Sequence, residues 1–123
     1  MSRQADILQE RTRRFAVSVL NLVRELPNVE PAVTIRHQLT RCATAVAANY
    51  RTSRRARSHA EFTARIGVVA EEADESLFWL SLLSDLGLGS PQTARELARE
   101  ARELTAIFST SVATARRNAR SRR

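Results

Sequence analysis

The fold is decided by residues 38–86, which read QLTRCATAVAANYRTSRRARSHAEFTARIGVVAEEADESLFWLSLLSDL. The first part of this stretch is rich in alanine and leads into four arginines between Arg51 and Arg57. The second part opens with Ser58-x-x-Glu61, a capping box in which the serine accepts a backbone N–H and the glutamate reaches back to the cap. Apolar residues then recur every three or four positions, as on one face of a helix. The stretch therefore predicts two helices joined by a basic turn.

The same periodicity continues on both sides of this stretch and predicts four helices. Pro27 ends the first helix, and Gly87 followed by Ser90 and Pro91 separates the third helix from the fourth. The predicted helices cover residues 5–26, 33–54, 59–86 and 92–116, and a basic tail covers residues 117–123. Because short connections favour antiparallel neighbours, the prediction is an all-α, up-down-up-down four-helix bundle in a single domain, residues 1–123.

The predicted core follows from the apolar stripe of each helix. Cys42, the only cysteine, lies on the stripe of the second helix, which indicates a small buried side chain rather than a reactive thiol. The predicted core positions are Leu8, Thr12, Phe15, Val19, Leu22, Leu26, Ile35, Leu39, Cys42, Ala43, Val46, Tyr50, Phe62, Ile66, Val69, Ala73, Leu77, Leu80, Leu83, Leu97, Ala101, Leu104, Phe108, Ser111 and Ala115.

Composition restricts the class of protein. Only three glycines and three prolines occur among 123 residues, which favours helix over sheet. The apolar stretches are too short for a membrane span, and the first residues lack the apolar core of a signal peptide. A single cysteine is compatible with a reducing compartment, so we expect a cytoplasmic protein without a membrane partner.

The charge suggests an anionic partner. The formal net charge is +7, and all 20 basic residues are arginine, whose planar fork suits phosphates and carboxylates. One face of the second helix combines arginines with small residues, and no acid occurs from residue 31 to residue 60. Few exposed aromatic residues are expected near these arginines, which favours contact with the nucleic-acid backbone over base stacking. The alternative is a solvated, arginine-rich face. The predicted nucleic-acid-binding residues are Arg41, Arg51, Arg54, Arg55 and Arg57.

The third helix carries apolar side chains on two sides. This pattern predicts a second buried surface, most simply a subunit interface, and the alternative is a wider core. Since the second helix is basic and the third is acidic and aromatic, complementary patches would make head-to-tail contacts that close into a ring. The predicted interface residues are Glu71, Glu75, Phe78, Trp79 and Leu82, with Glu71 or Glu75 meeting arginines of a neighbouring subunit.

Known catalytic patterns are missing from the sequence. Neither His37 nor His59 has a carboxylate three residues before it, as di-iron bundles require, and no phosphate-binding glycine loop or nucleophile elbow occurs. The carboxylates between Glu71 and Glu75 are interpreted as interface or solvated charges. We therefore expect a protein that is not an enzyme and needs no metal or cofactor.

Three segments carry a resemblance to a known family. They are Gln38-Leu-x-Arg41-x-x-x-x-Val46-x-x-Asn49, then Ser58-x-x-Glu61-Phe62, then the run from Val68 to Leu80. Together they resemble the bacterial four helix bundle protein family, which includes proteins encoded in the intervening sequences of 23S ribosomal RNA genes. The chain is also similar to the accessory protein of diversity-generating retroelements. Where the family usually has Ile-Ala-Glu-Gly after the asparagine, this chain has Tyr50-Arg51-Thr52-Ser53, which makes the turn more basic.

The resemblance implies a homopentameric ring, a surface that binds RNA or DNA, and a reverse transcriptase as a possible protein partner. It also implies mainly structural roles for the residues that match the family's motif by position, which are Arg41, Asn49, Glu61, Phe62 and Glu75. Ser58 is assigned with Asn49, Glu61 and Phe62 to the structural motif. The sequence thus predicts a non-enzymatic, ring-forming bundle that binds nucleic acid through arginines. The alternative is an oligomeric protein-interaction scaffold that does not bind nucleic acid directly.

Overall fold

Four helices form a bundle in the computed structural model, which describes residues 2–121. They are α1 (Arg3–Val23), α2 (Ala32–Ser53), α3 (His59–Leu86) and α4 (Pro91–Ser121). Each helix packs against two others, α1 and α3 both lying between α2 and α4. Asp6 near the start of α1 pairs with Arg54 at the end of α2, as expected for antiparallel neighbours. The predicted four-helix bundle is confirmed.

Side-chain and glycine caps define the helix ends. The Ser58 hydroxyl oxygen accepts from the Glu61 N–H at 3.0 Å, and Gly87 ends α3 in the left-handed conformation with φ of 66°. The Ser90 hydroxyl oxygen accepts from the Thr93 N–H, so the predicted start of α4 is also confirmed. The capping box differs from the prediction in one bond, because the Glu61 carboxylate accepts from the N–H of Arg57 rather than from that of the cap residue.

Two helix boundaries differ from the predicted ones. Helix α1 ends at Val23 rather than at residue 26, because the N–H groups of Glu25 and Leu26 bond to carbonyls three residues back and tighten the chain into a turn. Helix α4 continues to Ser121, so residues 117–121 of the predicted tail are helical. The last two tail residues, 122 and 123, lie outside the described residues.

The core positions predicted for α1 and α2 are all buried. On α3 and α4 the stripe differs slightly. Phe62, Leu77 and Leu97 are only partly buried against the core. Val112 is buried where Ser111 was predicted, because positions 104, 108, 112 and 115 keep one face of the helix toward the core. The buried face of α4 is therefore rotated slightly around the helix from the predicted stripe.

The centre of the bundle contains one polar cluster. Cys42 is buried, as predicted, and burial raises the pKa of its thiol. The hydroxyl of Ser76, which is also buried, lies 3.2 Å from the Cys42 sulfur and 2.8 Å from the carbonyl oxygen of Glu72. Because these polar groups bond to each other and to the backbone, their burial costs little. Among residues 2–121, no helix is both long enough and apolar enough to cross a membrane.

Candidate nucleic-acid interface

The turn between α2 and α3 holds the arginines that the sequence singled out. It is a tight turn in which the N–H groups of Arg55 and Ala56 bond to carbonyls three residues back. Below it, Ser53 is buried and its hydroxyl donates to the carbonyl oxygen of Tyr50 at 2.6 Å. Arg55 and Arg57 in this turn, and Arg51 in the last turn of α2, are exposed to solvent.

Arg54 faces inward from the same turn and is only 17% exposed. Its guanidinium donates to the side-chain oxygen of Gln9 at 2.6 Å and to the carboxylate of Asp6 at 2.7 Å. Two charge-assisted hydrogen bonds to α1, one of them to a carboxylate, fix its orientation. Arg54 therefore connects the turn to α1, and its donors are less available to a phosphate than those of its neighbours.

Arg41 lies apart from the turn. It precedes Arg51 by ten residues, about 15 Å along the helix. Its guanidinium bonds to the carboxylates of Glu72 and Glu75 on α3, and these bonds raise its pKa, the bond to Glu75 most strongly. The Trp79 indole N–H also donates to Glu75, at 3.3 Å. Glu75 thus meets an arginine of its own chain, while Glu71 remains exposed at the surface.

The end of helix α4 adds arginines to this region, among them Arg117 and Arg120 of the predicted tail. His59 at the start of α3 donates to the carbonyl oxygen of Ala115 at 2.8 Å, which holds the last turns of α4 beside the α2–α3 turn. We call this part of the bundle the arginine end. Its exposed arginines are Arg3, Arg51, Arg55, Arg57, Arg116, Arg117 and Arg120.

Positive charge is concentrated in the half of the bundle that contains the arginine end. When each helix is divided near its midpoint, residues 2–13, 43–72 and 107–121 of this half contain eleven arginines and five carboxylates. Residues 14–42 and 73–106 of the opposite half contain seven arginines and eight carboxylates. The positive field therefore projects from one end of the molecule rather than from all sides.

The predicted interface residues divide into two groups. Phe78 is 53% exposed and meets the Trp79 ring edge-on, with ring centroids 4.9 Å apart. Trp79 and Leu82 are partly buried and pack against the core. For these two residues the alternative of a core that extends around α3 therefore applies. Val68 and Leu86 are exposed on the same helix. An apolar surface therefore remains on α3, and Phe78 is its largest member.

A groove between α1 and α2 offers a complementary surface. Val17 and Leu20 of α1 are exposed there, opposite the small residues Ala47 and Ala48. Arg13 and Arg51 also line the groove, whose volume is about 630 Å³. The small residues of α2 were predictable from the sequence. The apolar face of α1 was not, because its exposed apolar residues are too few and too widely spaced to form a pattern.

The remaining motif residues have structural contacts. Asn49 donates to the carbonyl oxygen of Ala45 at 2.9 Å and accepts from Arg65 at 3.3 Å, so its side chain joins α2 to α3. In the part of the chain that the structure describes, no group of three or more His, Cys, Asp or Glu residues is placed to hold a metal ion.

The fold and the charge distribution define a basic four-helix-bundle protein, and comparison with known proteins identifies its family. The chain belongs to the 23S rRNA-intervening sequence protein family, whose model matches residues 4–110. A crystal structure of an S23 ribosomal protein family member from Bacteroides thetaiotaomicron VPI-5482 is similar, with 24% identity and a TM-score of 0.77. The match covers 85% of this chain and 97% of that protein, whose function is described as unknown. No curated protein matches the chain. Neither description names an enzymatic activity.

Proposed function

We propose that this protein is a non-enzymatic, ring-forming bundle that binds nucleic acid through its arginine end. The observation that carries the proposal is the concentration of exposed arginines where the α2–α3 turn and the end of α4 meet. Arginine side chains neutralise phosphates and release their counterions, which supplies most of the affinity of backbone-directed binding. The family description refers to 23S rRNA, so RNA is the first ligand to test, with DNA as the comparison.

The oligomer is the second part of the proposal. We propose a head-to-tail ring, homopentameric as the family resemblance implies, in which Phe78 of one subunit enters the α1–α2 groove of the next. The apolar floor of the groove suits the phenyl ring, and Arg13 suits the acids that surround Phe78, such as Asp74. Different patches that complement each other generate a ring when the rotation closes. A ring would repeat the arginine end several times on one face.

A protein-interaction scaffold is the alternative function. It is favoured by the pairing of Arg41 and Arg54 with carboxylates of their own chain, because these arginines then organise the fold rather than a ligand. In this case the exposed arginines would meet an acidic surface of a protein partner, for which a polymerase such as a reverse transcriptase is a candidate.

Fluorescence anisotropy of labelled RNA and of duplex DNA tests nucleic-acid binding directly. Nuclease-treated protein is titrated over a salt series, and wild type is compared with Arg51, Arg55 and Arg57 changed together to Ala. We expect the slope of log affinity against log salt on the duplex to fall by up to about three, since each phosphate contact contributes roughly 0.9. The matched control changes Arg95, Arg99 and Arg102, which are equally exposed but lie toward the other end.

The outcomes separate the two functions. Binding by wild type that weakens in the turn variant and not in the control supports the arginine end. An absence of binding at low salt would overturn the nucleic-acid proposal and leave the scaffold.

Light scattering tests the oligomer. Phe78→Arg places a charge in the proposed contact, so the molar mass is expected to fall to that of one subunit. Thr110→Arg on the exposed face of α4 adds the same charge elsewhere and should leave the mass unchanged. An unaltered mass in the Phe78 variant contradicts this interface.

A further inference from the structure

A pocket opens at the arginine end, between the start of α1 and the α2–α3 turn. Its volume is about 470 Å³. Most of the lining comes from the first turn of α1, the last turn of α2 and the start of α3, and includes Ser2, Ala5, Tyr50, Arg54, Ser58 and Phe62. Arg55 and Arg57 flank Ala56, another lining residue, so the mouth of the pocket lies next to exposed arginines.

Tyr50 gives this pocket an unusual polar group. The residue is only 5% exposed, and its ring packs against Phe108 with centroids 5.3 Å apart. Its hydroxyl has no hydrogen-bond partner among residues 2–121, yet no side-chain polar atom there is both fully enclosed and unpaired. The hydroxyl therefore keeps some exposed surface, and Tyr50 is one of the residues that line the pocket. A mostly buried hydroxyl without a protein partner is available to a ligand in that pocket.

The other polar groups of the pocket are neutral or already paired. The hydroxyl oxygens of Ser2 and Ser58 accept from backbone N–H groups, which leaves their O–H groups free to donate. Arg54 already donates to Asp6 and Gln9. The lining therefore combines hydroxyl groups with the half-buried ring of Phe62 and contributes little unbalanced charge.

We propose that this pocket receives one unpaired nucleobase of a strand whose phosphates lie on the exposed arginines beside it. The proposal rests on the nucleic-acid-binding function and specifies its ligand as single-stranded. A planar heterocycle with donors and acceptors matches an aromatic ring and hydroxyl groups, whereas a phosphate would need more free positive charge than Arg54 offers. In a duplex the bases are paired and stacked, and therefore do not enter.

The structure thus adds aromatic groups to an interface for which the sequence indicated backbone contact alone. Tyr50 lies on α2 and Phe62 on α3, so the periodicity of a single helix does not relate them. The tight turn between the two helices brings both side chains to the same pocket. Phosphate contacts would give affinity, and the base pocket would give a preference for unpaired regions.

Two oligonucleotides that differ only in their bases test the proposal. One is a thymidine strand of about twelve nucleotides, and the other is an abasic strand of the same length, a size suited to a single binding surface. Wild type should bind the thymidine strand about tenfold more tightly at equal salt, a typical effect of stacking one base on an aromatic side chain. Both Tyr50→Phe and Phe62→Leu should lower affinity for the thymidine strand and leave affinity for the abasic strand unchanged.

The control removes a buried hydroxyl elsewhere. Ser76→Ala, in the middle of α3, should change neither affinity, and thermal unfolding checks that all the variants fold. Equal binding of both strands by wild type would overturn the base pocket while leaving the phosphate contacts standing. If the two pocket variants bind both strands equally more weakly than wild type, the base pocket is overturned as well. If neither strand binds, the nucleic-acid function itself fails and the pocket proposal fails with it.

Discussion

The arginine end and the opposite end of the bundle differ in charge and in packing. At the opposite end, which we call the closed end, the α3–α4 turn at residues 87–90 lies against α1. A side-chain carbon on Gly89 would come within 3.1 Å of Leu26 and 3.6 Å of Leu22, so apolar side chains fill this region. At the arginine end the chain leaves a pocket of about 470 Å³, lined by hydroxyl groups and next to arginines, which is larger than the pocket of about 270 Å³ between α3 and α4 in the opposite half.

This difference between the two ends leads to separate predictions for stability and for binding. Buried leucines at the closed end contribute to the free energy of unfolding through apolar burial. Exposed arginines at the other end repel one another and contribute little to stability, and the proposed ligand would account for their concentration there. Substitutions at the closed end should therefore change stability, and substitutions at the arginine end should change binding.

The largest effect is expected for Leu22→Ala at the closed end. Leu22 is buried, and its truncation should lower the free energy of unfolding by about 2–5 kcal/mol through lost burial and a residual cavity. Urea unfolding measures the loss. Ile7→Ala, half exposed near the arginine end, is the control and should cost less than about 1 kcal/mol. Similar losses in the two variants would contradict the contrast in packing.

The arginines of α4 provide a direct comparison of the two ends within one helix. Arg116, Arg117 and Arg120 changed to Ala should lower the salt slope of duplex binding by up to about three, with little change in stability. The same change at Arg95, Arg99 and Arg102 should leave the slope as it is. Anisotropy across a salt series measures both, and equal slopes in the two triple variants would show that binding does not depend on the end.

The serine caps allow a smaller comparison. Ser58→Ala at the arginine end removes a hydrogen bond of 3.0 Å and should cost about 1 kcal/mol. Ser90→Ala at the closed end removes a longer bond of 3.3 Å and should cost less. Thermal unfolding gives the order, and a reversed order would mean that other contacts of these serines dominate.

The smallest effect concerns alkaline pH. Burial raises the pKa of Tyr50 above its ordinary value of 10.0 and that of Cys42 above 9.0. Both groups are neutral in the fold, so their contribution is complete below the unfolded pKa values and is lost as pH rises through the folded ones. Because the chain has no lysine and arginine stays protonated, urea unfolding between about pH 8 and pH 11 should reveal this loss. Tyr50→Phe should reduce the loss above about pH 10, and an unchanged pH profile would contradict a buried tyrosine hydroxyl.

The helices and most of the core were predictable from the sequence. The caps at Ser58, Gly87 and Ser90 and the stripe from Ile35 to Tyr50 depend on residues three or four positions apart, which a sequence displays directly. The third helix was predicted with its observed bounds, 59–86. The length of α4 was not predictable in this way, because its last turns lie beside the first turns of α3, where Ala119 and Arg120 line a groove together with Ala64.

The candidate site was only partly predictable. The sequence identified the basic turn, and the structure exposes Arg51, Arg55 and Arg57 there. It did not distinguish them from Arg41 and Arg54, whose carboxylate partners lie on other helices. Whether an arginine can bind a ligand depends on which side chains of other helices its guanidinium contacts. The spacing of residues along one helix does not show how that helix is aligned with its neighbours.

The sequence by itself determined a bundle of four helices with a basic turn, because helix periodicity and capping are local properties of the chain. Tertiary structure alone decided which arginines remain open, how the end of α4 joins the turn, and that Tyr50 and Phe62 share a pocket. These features depend on the packing of side chains from different helices, whose relative rotation and register are fixed only when the core forms.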